Sequence, residues 1–274
     1  MSGALGVAAA AVLVAALGAG CAGGATPAVH VELPPSPTTG SVVSLVGLGD
    51  SIPAGDECDG CTPFVELYGK QLARAASARV DVTNLGVGGW TSSDLLVALQ
   101  PGGDDAAAVA GADVVTVTIG ANDFSTQLDS YLAGDCGGSD GLGCFQPYLP
   151  QLRSTLVQVL REITALRAGQ PTRIVVTGYW NVFPDGEVAQ DEYGPGFLTA
   201  SAALTTQVNS VIASAAAEQG AAYADLATPF KGVDGEGDPT GLLAADGEHP
   251  DQAGHQAIAD ALVALGPLTP VPAA

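Results

Sequence analysis

Ser51 ends the tripeptide Gly49-Asp50-Ser51, directly after the apolar run Val42 to Leu48. A serine hydroxyl is a weak nucleophile until a base takes its proton. The chain holds three histidines. His30 lies in a proline-rich stretch with nothing to fix its geometry. His255 lies inside a helical pattern, where a lone histidine is most often structural or solvated. His249 lies in Asp246-Gly247-Glu248-His249-Pro250, a turn just before that helix. By elimination His249 is the candidate base. Asp246, three residues earlier, can reach its ring within one tight turn and fix the tautomer. Pro250 biases His249 toward extended backbone. Taken alone, these residues also suit a surface turn that caps a helix.

Attack on a carbonyl creates an oxyanion, which needs fixed donors. Asn84-Leu85-Gly86-Val87-Gly88-Gly89 offers a glycine whose N–H a substrate can approach closely. Gly120-Ala121-Asn122-Asp123 offers a side-chain amide. Each segment also reads as an ordinary turn or cap.

Three apolar runs lead into these segments. Val42–Leu48, Val80–Leu85 and Asp113–Ile119 read as strands closed by glycine, with Arg173–Gly178 and Ala222–Leu226 as two more. Helical patterns alternate with them: Pro63–Ala76 capped by Thr62, Thr91–Leu99 capped by Thr91 or Ser92, Leu149–Ala168, Leu198–Gln219 and Asp251–Leu265. Strands alternating with helices imply right-handed crossovers and a parallel sheet covered on both faces. Ligands of such sheets bind beyond the C-terminal strand ends, where Ser51, Gly89 and Asn122 all lie. Ser125–Gln146 and Asn181–Gly196 are the long insertions, expected to overhang the crevice. Their aromatics Phe124, Tyr131, Trp180 and Phe183 suit either an acyl or sugar pocket or packing.

The 274 residues suit one domain with a sizeable core. Eight Lys and Arg against 29 Asp and Glu give a formal charge of -21, a surface that repels nucleic acid and anionic lipid. Ala4–Ala19 is short for a membrane span and ends in small residues, which suits a leader peptide and export. Cys21, after Gly18-Ala19-Gly20, resembles a bacterial lipobox cysteine and would tether the protein to a membrane; the alternative is a plain leader with an incidental cysteine. The expected layout is a leader over 1–21, a Pro-rich linker over 22–40, one domain over 41–267 and a tail over 268–274. In an exported chain, Cys58, Cys61, Cys136 and Cys144 suit disulfides better than a zinc site. The expected pairs are Cys58–Cys61 and Cys136–Cys144, each close in sequence.

Gly49-Asp50-Ser51, Asn84 to Gly89, Gly120-Ala121-Asn122-Asp123 and Asp246-x-x-His249-Pro250 occur in the order of the GDSL-type, or SGNH, hydrolases. The chain resembles that family from Val42 to Leu265. Cys61 to Phe64 and Gly178 to Phe183 are similar to an exported actinobacterial branch of it. The resemblance implies a flavodoxin-like three-layer α/β/α sandwich on five parallel strands. It implies Ser51 as nucleophile, His249 as base and Asp246 as its orienter. The oxyanion hole would be the Ser51 N–H, the Gly89 N–H and the Asn122 side chain, with Gly88 as a substitute for Gly89. The expected activity is hydrolysis of acyl or acetyl esters of small molecules, lipids or carbohydrates by a monomer with no metal or cofactor. The alternative is a non-catalytic ligand- or carbohydrate-binding module on the same scaffold.

Overall fold

Apolar runs too short for helices form a sheet buried on both faces. The computed structural model describes residues 42–266; the leader, the linker, His30, Cys21 and the tail 268–274 lie outside the described residues. The strands are β1 (Val42–Gly49), β2 (Arg79–Gly86), β3 (Val114–Thr118), β4 (Arg173–Thr177) and β5 (Ala222–Ala224). They are all parallel, in the order β2-β1-β3-β4-β5. This is the flavodoxin-like order, whose direction of winding reverses between β1 and β3. All five residues of β3 are buried, as a central strand between two helical layers requires.

The helices are α1 (Ser51–Ala54), α2 (Phe64–Ala76), α3 (Ser92–Ala98), α4 (Asp104–Ala110), α5 (Ser125–Leu132), α6 (Tyr148–Leu166), α7 (Gly186–Tyr193), α8 (Pro195–Glu218), α9 (Ala227–Lys231) and α10 (Gln252–Ala264). One layer pairs α2 with α10; the other packs α3, α4 and α8 around α6. In α6 the buried Leu152, Leu156, Val159, Leu160 and Ile163 fall on one helical stripe. No helix among the described residues is long and apolar enough to cross a membrane.

One expectation changes and two are filled in. Thr62 does not cap α2: the cap position is Pro63, and the Thr62 N–H and C=O bond the Gln252 side chain at 2.9 and 3.3 Å. The segments read as long insertions contain α5 and α7, whose buried side chains are too few to print a helical stripe. Phe124, Trp180 and Phe183 are packing, not an open pocket. All three are buried, Trp180 lies flat on Phe230 at 4.1 Å, and Phe183 meets Phe145 and Phe197. Tyr131 packs on Phe145 and Phe197 in the same cluster. Cys58 pairs with Cys61 and Cys136 with Cys144, so the Cys58-x-x-Cys61 thiols are not free for zinc.

Candidate active site

The ends of β1, β2 and β3 finish level. Gly49 is in register with Gly86 on one side and Thr118 on the other. Beyond this line the chain knits itself together: the Asp50 N–H donates to Thr118 O and the Val87 N–H to Gly49 O, both at 3.0 Å. Gly49 has φ of +138°, and a Cβ there would strike the Thr118 carbonyl. Only glycine permits that approach, and the approach sets where Ser51 begins.

Ser51 is the first residue of α1, a single turn capped by Asp50. Asp50 is 1% exposed. Its carboxylate accepts the Ile52 N–H at 3.0 Å and the Tyr179 hydroxyl at 2.5 Å. Burial pushes this carboxyl up to about 7, against the hydrogen bonds from Tyr179 and Ile52 and the charge of His249, which lower it. The Tyr179 hydroxyl is driven well above its usual range, by burial first and by the Asp50 carboxylate beside it.

The loop after β2 is fastened to the turn after β3. Asn122 donates from its amide to Trp90 O at 3.0 Å, which leaves its second amide hydrogen for a ligand. Asp123 accepts the Ser92 N–H at 2.8 Å and the Ser92 hydroxyl at 2.5 Å. Burial raises the Asp123 carboxyl, and the Ser92 bonds oppose it. Between these anchors Gly88 and Gly89 differ. Both are exposed, but a Cβ on Gly88 would meet the Asp56 carboxylate, whereas Gly89, at φ +78°, has open space around its α-carbon. Gly89 is therefore the better placed of the two to meet a substrate.

His249 and Asp246 form a unit within one turn. His249 Nδ1 lies 2.5 Å from the Asp246 carboxylate. The other Asp246 oxygen accepts the Glu248 and His249 N–H groups at 3.0 and 3.1 Å. Partial burial raises the Asp246 carboxyl, but these hydrogen bonds outweigh it and leave the group below its ordinary range. Glu248 moves the other way, raised chiefly by burial. Backbone bonds flank the turn: Ala244 N–H to His249 O at 2.7 Å and Asp251 N–H to Leu242 O at 2.9 Å. Because the Asp185 N–H, beyond the end of β4, donates to Gly247 O, this turn lies at the same end of the sheet as Ser51.

The loop after β4 carries supports that no local pattern announces. The Asp185 N–H donates to Gly247 O at 2.7 Å, inside the Asp246–His249 turn. The Asp185 carboxylate, 4% exposed, pairs with Lys231 Nζ at 2.7 Å. These two line a cleft of about 430 Å³ with Glu187, Glu236 and Asp238. A second cleft of about 330 Å³ is lined by Ser93, Asp123, Tyr148 and Gln151. Ser51 and His249 line neither cleft. His255 takes no part: it is fully buried against Phe64, and neither ring nitrogen has a hydrogen-bond partner among the described residues. Among these residues no group of three His, Cys, Asp or Glu side chains suits a metal ion.

Sequence reasoning missed Tyr179, Asp185 and Lys231, because each acts on a residue far away in the chain. A family model described as GDSL-like Lipase/Acylhydrolase matches residues 48–257. No curated protein matches the chain. Among solved structures, a lipase from a goat rumen metagenome aligns with TM-score 0.64 at 19% identity, over 82% of this chain and 97% of its own. An acetylxylan esterase from Geobacillus stearothermophilus aligns with TM-score 0.58 at 24% identity, over 82% and 94%. An α/β hydrolase from the metagenome of Lake Arreo, Spain, aligns with TM-score 0.55 at 23% identity, over 81% and 94%. At these identities the likeness is one of fold.

Proposed function

The chain belongs to the GDSL-like lipase/acylhydrolase family and is a carboxylic ester hydrolase, and on that premise we propose that it is an exported serine esterase working through Ser51, His249 and Asp246. The observation that carries this reading is the 2.5 Å contact of His249 Nδ1 with Asp246. That contact fixes Nδ1 as the protonated nitrogen and leaves the Nε2 lone pair for the Ser51 hydroxyl.

Ser51 Oγ attacks the ester carbonyl as His249 Nε2 takes its proton. The carbonyl oxygen becomes an anion, held by the Ser51 N–H, the Gly89 N–H and the free Asn122 amide hydrogen. The tetrahedral intermediate collapses, the imidazolium returns the proton to the departing alcohol oxygen, and an acyl-enzyme remains. Water, deprotonated by His249, attacks the acyl carbonyl; collapse releases the carboxylic acid and restores Ser51. Every proton moves through one nitrogen, and Asp246 stays ionised throughout, which its depressed carboxyl favours.

The substrates fitting this reading are acyl or acetyl esters of small molecules or carbohydrates. Export is supported by the two disulfides and by the apolar leader. In this reading residues 1–21 are the leader with Cys21 as a lipid anchor, 22–40 a linker, 41–267 the catalytic domain and 268–274 a tail. The decisive test is Ser51→Ala assayed on p-nitrophenyl acetate. The expected loss in kcat is on the order of 10⁴ to 10⁶, with no adduct from a fluorophosphonate. Hydrolysis at the parental rate would overturn the assignment.

A further inference from the structure

Asp50 is ionisable where its obvious structural task needs no charge. Capping α1 requires one oxygen for the Ile52 N–H, and asparagine or serine caps as well as aspartate does. A buried carboxylate is costly unless partners offset the cost, and burial here pushes it up to about 7. Its second oxygen takes the Tyr179 hydroxyl at 2.5 Å. Tyr179 is itself clamped: its N–H donates to the Asn209 side chain at 2.9 Å, and its C=O accepts from that amide at 2.8 Å. A path of hydrogen bonds therefore runs from α8 through Tyr179 to the residue preceding Ser51.

The groups facing Asp50 come from three places. The amides of α1 lie on its own element, Tyr179 comes from the loop after β4, and His249 acts on it from the turn before α10. Asp123 bears on Tyr179 from the turn after β3. Asp246 touches the His249 ring directly.

We propose that Asp50, as a carboxylate, is a positioning residue for Ser51: one oxygen caps the turn that Ser51 opens, and the other is held by the Tyr179 hydroxyl. The proposal rests on the Ser51–His249–Asp246 reading. A carboxylate offers both oxygens as acceptors, whereas an amide of the same shape keeps the cap with its oxygen and turns its N–H₂ group toward Tyr179.

Asp50→Asn and Tyr179→Phe separate these effects. For Asp50→Asn, kcat on p-nitrophenyl acetate is expected to fall roughly tenfold or more, with KM little changed. The fluorophosphonate labelling rate should fall by the same factor. Tyr179→Phe removes a hydrogen bond that holds the Asp50 carboxyl down. The acid limb of its pH–rate profile should therefore move to higher pH, and activity should recover above that limb. A folded Asp50→Asn with parental kcat and labelling rate, or a Tyr179→Phe profile superimposable on the parent's, overturns the proposal. If Asp50→Asn fails to fold, the Tyr179→Phe profile decides alone. A parent protein that takes no fluorophosphonate at Ser51 overturns the serine-esterase reading, and this proposal with it.

Discussion

The two halves of the candidate site are built on different principles. The base half is local: Asp246 receives the His249 ring and two backbone N–H groups, all within three residues. The nucleophile half is held from afar. Asp50 is fixed by Tyr179, 129 residues on, and Asn122 and Asp123 are tied to Trp90 and Ser92, 32 and 31 residues back. A local turn keeps its geometry at small cost and sits partly exposed, with side-chain exposures of 15% for His249 and 30% for Asp246. The distant half needs the sheet assembled first, because its donors and acceptors lie on separate strand ends.

Removing the working atom of the base half gives the largest expected effect. His249→Ala should lower kcat on p-nitrophenyl acetate by roughly 10⁵ to 10⁶, with thermal stability nearly unchanged because the ring is held by one local contact. A large loss of stability would mean that the turn is less self-sufficient than its hydrogen bonds indicate.

The base half does have one distant support, and breaking it probes how local the turn is. Lys231→Met leaves Asp185 buried without its cation. Such a loss costs about 3–5 kcal/mol, read as a lowered midpoint in denaturant. Because the Asp185 N–H holds Gly247 O at 2.7 Å, activity should fall below what the folded fraction explains. Activity that tracks the folded fraction alone would show that the turn stands without Asp185.

On the nucleophile side the expected losses are smaller and fall on kcat. Asn122→Ala removes the proposed oxyanion donor and the tie to Trp90 O, and should lower kcat by about 10² to 10³. Ser92→Ala removes only the short bond to Asp123 and should cost far less. If the two variants were equal, the Asn122 effect would be loop anchoring and not charge stabilisation.

The same contrast explains what the sequence could reveal. Five strands were readable because β-branched runs such as Val114–Thr118 are buried on both faces, and the short spacing of Asp246 and His249 made the base half readable too. Ser51, Gly89 and Asn122 were readable as strand-end residues of the right types. Tyr179 and Asp185 were not, since a tyrosine after a strand and an aspartate before a helix gain their roles only from partners that sequence distance hides. The helices α5 and α7 were missed for a related reason: they bury few side chains of their own.

The smallest expected effect concerns the helix behind the base half. His255 is buried without a hydrogen-bond partner among the described residues, and burial lowers its pKa from 6.5 to about 4. The unfolded chain takes up this proton near pH 6.5 and the folded chain only near 4, so His255 removes stability as pH falls through that window. Asp50 has the opposite sign. Its carboxyl is raised from 3.8 to about 7, so it stabilises the fold at low pH and loses that contribution as pH rises toward 7. The two slopes oppose each other, and the parent's pH dependence alone reports neither. The difference between His255→Phe and the parent isolates the histidine. Between pH 7.5 and 4.5 the variant should gain about 2 kcal/mol on the parent, measured by denaturant unfolding at each pH. A constant difference across that range would mean that the folded chain accepts the proton freely, and that the packing of α10 on α2 opens more easily than the full burial of the ring implies.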